Sequence, residues 1–121
     1  KISKNTDIYI VDTYGETSKF YGLSNVTFVG GSLVPHGGQN PLEPARMGSY
    51  ILHGSNIQNF REIYIMLSKL NISSKINNII NMKKIVTKKI KFRQPQSVIK
   101  KLNYIGNQIL KKNINEINKF L

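Results

Sequence analysis

The sequence predicts an α/β fold, a Rossmann-like arrangement in which a short parallel sheet is flanked by helices and followed by a C-terminal helix. Two observations carry that reading. Short apolar runs rich in β-branched residues alternate with segments of helical spacing through the first half of the chain, and from Val98 onward apolar residues recur at helical period with lysines opposite. Alternating strands and helices build βα units, whose crossovers are right-handed and whose ligands gather at the carboxyl ends of the strands.

Asp7-Ile8-Tyr9-Ile10-Val11 has the composition of a buried strand. Asp12-Thr13-Tyr14-Gly15-Glu16 turns the chain into a short helix over Thr17–Leu23. Val26–Val29 reads as a second strand stopped by Gly30-Gly31, and a Gly- and Pro-containing loop follows from Ser32 to Gln39. Asn40-Pro41-Leu42-Glu43 opens a helix that runs through Met47 to Gly48. Tyr50–Leu52 is a third strand, and Asn59–Leu70 is amphipathic, with Phe60, Ile63, Tyr64 and Leu67 on one face. Beyond residue 71 the pattern weakens to a helix over Met82–Ile90 and a longer one over Val98–Leu121, striped by Leu102, Ile105, Ile109, Ile117 and Leu121. The 121 residues make one domain, with a motif-bearing βα core over 1–70 and a basic, mainly helical part over 71–121.

The chain contains no cysteine and two histidines, His36 and His53, so a disulfide framework and a thiolate zinc site are excluded and no metal is expected. No apolar run reaches the ~18 residues that a membrane span needs. The chain opens on lysine rather than methionine, which fits a fragment or a trimmed chain. Its net charge of +12 lies wholly in residues 61–121, because the first sixty residues balance. A basic half fits phosphate-rich partners; it also fits an ordinary lysine-covered surface in a segment rich in Lys, Asn and Ile.

The stretch from Gly30 to Ala45 carries the most chemistry. Asn40 suits an N-cap, Pro41 the first helical position and Glu43 the third, so together they predict a capping box in which Glu43 reaches back. The glycines just before this helix exceed what a cap requires and suit the close approach of a phosphate or ribose. Neither G-x-G-x-x-G nor the P-loop pattern occurs, and no G-x-S-x-G is present, so hydride transfer, P-loop hydrolysis and serine hydrolysis are disfavoured. The Asp12–Glu16 turn should line the same rim. His36 reads as a solvated loop residue with donor capacity, and His53 is given no role.

Asp12-Thr13-Tyr14-Gly15-Glu16, Phe20-Tyr21-Gly22, Phe28-Val29-Gly30-Gly31-Ser32-Leu33 and Gly37-Gly38-Gln39-Asn40-Pro41-Leu42-Glu43-Pro44-Ala45 resemble, in order and spacing, the family of 3-deoxy-D-manno-octulosonic acid (Kdo) transferases. The resemblance continues into Asn59-Phe60 and covers roughly residues 7–65. It implies the C-terminal, donor-binding domain of a GT-B glycosyltransferase that transfers Kdo with inversion from CMP-Kdo to lipid IVA, at the cytoplasmic face of the bacterial inner membrane. Its CMP contacts, carried over by motif, fall on Tyr14, Gly15 and Glu16 and on Asn40, Pro41, Leu42 and Glu43. Gln39 stands where the family often has histidine; it still donates a hydrogen bond and does not titrate. The family's general base is a glutamate of an N-terminal domain, so no catalytic residue is expected in this chain. The resemblance further implies CMP-Kdo, lipid IVA, an anionic membrane surface and that N-terminal domain as partners, with no cofactor and no nucleic acid.

Two other classes fit parts of the sequence: a non-catalytic nucleotide- or sugar-binding module, which would share the same site, and a basic nucleic-acid-binding domain, which lacks an RNP-like aromatic motif or a clear recognition helix.

Overall fold

A computed structural model of the protein describes residues 3–121. In chain order the elements are α1 (Thr17–Leu23), β1 (Val26–Phe28), α2 (Leu42–Arg46), β2 (Tyr50–His53), a 3₁₀ turn (Gln58–Phe60), α3 (Arg61–Lys69), β3 (Ser73–Lys75), α4 (Ile79–Lys89) and α5 (Gln96–Asn118). The three strands form a parallel sheet in the order β1-β2-β3, with Val26 opposite Tyr50, Ile51 opposite Ser73 and His53 opposite Lys75.

All four residues of β2 are buried, as expected of a parallel strand covered on both faces. Its side chains alternate between two apolar clusters. Ile51 packs with Val29, Leu42, Ala45, Tyr64, Leu67, Ile72 and Leu102, which brings α2, α3 and α5 together over one face of the sheet. Tyr50 and Leu52 join Ile76, and Met82, Ile85 and Val86 of α4 cover them from the other. The layers are therefore helix, sheet, helix, and the α/β expectation holds. Polar ties lock the layers: Gln94 Nε2 donates to the Ser49 carbonyl at 2.7 Å, and the Ser49 hydroxyl donates to the Ser24 carbonyl at 2.7 Å.

The strand expected over Asp7–Val11 does not form; the segment carries no strand pairing, and Ile8 and Ile10 are 82% and 81% exposed. A β-branched run makes a strand only when a neighbouring strand accepts its hydrogen bonds. Here Tyr9 stacks instead on Phe20 of α1, with ring centroids 5.9 Å apart. In the opposite direction, β3 escapes the sequence reading because Ser73-Ser74-Lys75 is short and polar. It lies beyond residue 70 and ties the second part of the chain to the sheet.

The capping box is half formed. Asn40 Oδ1 accepts from the Leu42 backbone N–H at 3.0 Å, as an N-cap should, but Glu43 does not reach back. Its carboxylate is held instead by the Ser18 hydroxyl across on α1, at 2.6 Å. The last helix is long, and Leu102 anchors it with no exposure, whereas every residue from Asn107 onward is exposed.

Candidate nucleotide-binding cleft

The turn before α1 and the start of α2 face each other across a cleft of about 390 Å³, lined by Thr13, Tyr14, Gly15, Thr17, Ser18 and Glu43. Local chemistry shapes both walls. Gly15 has a φ of +84°, a conformation that glycine adopts without the Cβ penalty, and it lets the chain fold back into α1. Beside it the Thr13 hydroxyl donates to Glu16 Oε2 at 2.6 Å, and Lys19 Nζ lies 3.1 Å from Glu16 Oε1. The Thr13 hydrogen bond, then that of Lys19 and its charge, hold the Glu16 carboxyl below the usual range. Tyr14 is fully exposed at the rim.

On the opposite wall, Glu43 is aimed by Ser18, and its charge together with burial raises the Tyr21 phenol above its ordinary pKa, burial being the larger cause. Glu43 also lines a neighbouring cleft of about 310 Å³ with Arg46, Met47 and Asn103. There Arg46 Nε donates to Asn103 Oδ1 at 2.8 Å, which fixes the guanidinium between α2 and α5.

The loop between β1 and α2 supplies the support. Gly37 has a φ of +94°, and a Cβ there would come within 2.7 Å of all three atoms of the Asn59 amide, so the glycine lets Asn59 close on the loop. Asn59 N–H donates to the Gly37 carbonyl at 3.0 Å. Buried Tyr64 donates to the Gln39 carbonyl at 3.0 Å, and burial pushes its phenol up to about 12, so it stays protonated and donating. His36 is exposed in this loop, with its ring against Gly31. His53 proves to be a buried structural residue, packed on the Tyr64 ring at 4.5 Å.

Of the site residues named from sequence, Tyr14, Gly15 and Glu43 line one cleft, while Glu16 turns its carboxylate to Thr13 and Lys19. Asn40, Pro41 and Leu42 do not line it; Asn40 caps α2, and Pro41 and Leu42 are buried beneath. Sequence reasoning missed Thr17 and Ser18, because the Ser18–Glu43 bond joins residues 25 apart and no local pattern reports it. Among the described residues no three His, Cys, Asp or Glu side chains gather as a metal site would require.

No family model matches the chain. It is 41% identical over 76 residues to a 3-deoxy-D-manno-octulosonic acid transferase of Haemophilus influenzae, covering 63% of this chain and 18% of that protein. A counterpart in Rickettsia prowazekii is 34% identical over 74 residues, covering 61% of this chain and 16% of that one. Among solved structures, the C-terminal CMP-Kdo binding domain of WaaA from Acinetobacter baumannii superposes with a TM-score of 0.66 at 28% identity, covering 87% of this chain and 53% of that one. The chain is related to the Kdo transferases. Its parallel sheet, flanking helices and long last helix match a Kdo transferase's C-terminal domain in fold. It spans less than a fifth of the length of the Kdo transferases just described.

Proposed function

We propose that this chain is the donor-binding part of an inverting Kdo transferase, which moves Kdo from CMP-Kdo to lipid IVA. The observation that carries the proposal is the meeting of Tyr14, Gly15 and Glu43 in one cleft, in a chain that superposes on a CMP-Kdo binding domain. The Glu43 carboxylate is an acceptor suited to ribose hydroxyls, and the Ser18 hydroxyl that grips it sets its direction. A phosphate would repel Glu43, so it belongs at the other end of the cleft, near the backbone N–H groups around Gly15. Asn40, Pro41 and Leu42 then act from below, holding Glu43 in place through the start of α2. Glu16, tied to Thr13 and Lys19, gives the turn its shape.

The same reading makes the fold one half of a GT-B enzyme. The acceptor cleft and general base come from an N-terminal domain, no cofactor is used, and the enzyme works at the cytoplasmic face of the inner membrane against its anionic surface. Alone, this chain binds the nucleotide weakly and turns over no donor.

The test is an NMR titration of the chain with CMP, with UMP as control. Selective shifts at Tyr14–Ser18 and at Glu43, lost in the Asn40→Ala, Glu43→Ala double variant, are expected. Equal responses to CMP and UMP, or shifts away from these residues, would remove the donor site from this cleft.

A further inference from the structure

A separate cleft, of about 280 Å³, opens where β2 and β3 end, and Gly54, Ser55, Ile57, Gln58, Arg61 and Lys75 line it. The fold delivers its two cations from different elements. Lys75 is the last residue of β3, in register with His53, and Arg61 is the first residue of α3. Among the described residues neither makes an ion pair; the two pairs present are Lys19–Glu16 and Lys119–Glu116. Glu62, the acid nearest in sequence, does not line this cleft. The remaining lining is neutral, with the Ser55 hydroxyl and the Gln58 amide beside backbone at Gly54. Beneath, burial and then the Lys75 charge push the His53 ring below its ordinary pKa, although its bond to the Gly54 carbonyl opposes them.

Two like charges converging on a concave surface with no carboxylate between them repel until an anion is bound. A guanidinium offers paired donors matched to a phosphate or carboxylate, and an ammonium adds a point charge beside it. The cleft lies at the carboxyl ends of the strands, where parallel sheets bind ligands, and it shares no lining residue with the cleft of Glu43. We propose that it is a separate anion-binding site that takes a phosphate or carboxylate group through Arg61 and Lys75. Only the source of the anion rests on the transferase reading: it is either the carboxylate of the donor sugar acid or a phosphate of the acceptor.

The experiment is a titration of ¹⁵N-labelled chain with inorganic phosphate, glucosamine 1-phosphate and free Kdo, in the native chain, Arg61→Gln, Lys75→Gln and the double variant. Phosphate is expected to shift the amides of Gly54, Ser55 and Ile57. Each single change should weaken binding about tenfold, and the double change should abolish it. The paired change Lys83→Gln, Lys84→Gln on α4 should leave the dissociation constant unaltered. Tighter binding of glucosamine 1-phosphate would assign the site to the acceptor, and tighter binding of Kdo to the donor. Equal phosphate binding in the double variant, or shifts scattered over the lysines of α4 and α5, would overturn the proposal. CMP shifts at Tyr14–Ser18 serve as the independent readout: their persistence in the double variant separates failure of this site from failure of the donor site.

Discussion

The His53 ring is 6% exposed, sits 4.5 Å from the Tyr64 ring and has its Nδ1 2.8 Å from the Gly54 carbonyl. A carbonyl only accepts, so Nδ1 carries the proton. Burial disfavours the imidazolium, so the folded protein binds a proton at this ring less readily than the unfolded chain does. The stability this provides is complete above about pH 6.5 and is lost as the pH falls through that value toward the depressed folded one. The melting temperature should therefore drop between pH 7 and pH 5, and His53→Gln, which keeps a donor for Gly54 and does not titrate, should flatten the slope. An unchanged slope in that variant would assign the acid sensitivity elsewhere. The residue scale is also where the sequence was least informative. His53 and Ser18 acquire their roles from partners far along the chain or around a strand end, and neither is marked by its neighbours in sequence.

Elements were legible wherever one helix face had to be apolar. The stripes over Asn59–Leu70 and Val98–Leu121 predicted α3 and α5 to within a few residues. Strands were harder to read, because a strand is a relation between two segments. Ile8–Val11 has the right residues and no partner, whereas Ser73–Lys75 has the wrong residues and is drawn in by its pairing with β2. Within α5 the two halves differ. Leu102 is fully buried in the main cluster, while every residue from Asn107 onward is exposed. Leu102→Ala should cost about 2–5 kcal/mol, as large-to-small core changes do, whereas truncation after Gly106 should barely move the denaturant midpoint of the same chain. An isolated helical extension of that length is marginal in water, so its amides should be the first in α5 to exchange with solvent.

At the scale of the whole molecule, charge and clefts divide along the chain. The first sixty residues, electrically balanced, build the cleft between Tyr14 and Glu43; the remaining residues carry the entire +12 and supply both cations of the cleft at the ends of β2 and β3. The motif-dense part was readable in advance because its glycines and caps act locally. The join between the halves was not, because it runs through β3 and through the Gln94–Ser49 hydrogen bond.

The sheet has two outer strands, and ahead of α1 lies a run of four apolar residues, Ile8 to Val11, that is exposed and carries no strand pairing. Such a combination is a template for strand addition between molecules, and the positive charge is what keeps the molecules apart. Solubility is then a matter of ionic strength. At about 1 M salt, where the screening length shrinks to roughly 3 Å, light scattering should grow with protein concentration. Placing a charge within the run, as in Ile10→Lys, should suppress that growth while leaving the melting temperature in place. The same four residues that failed to become a strand here would then set how long a concentrated sample stays clear.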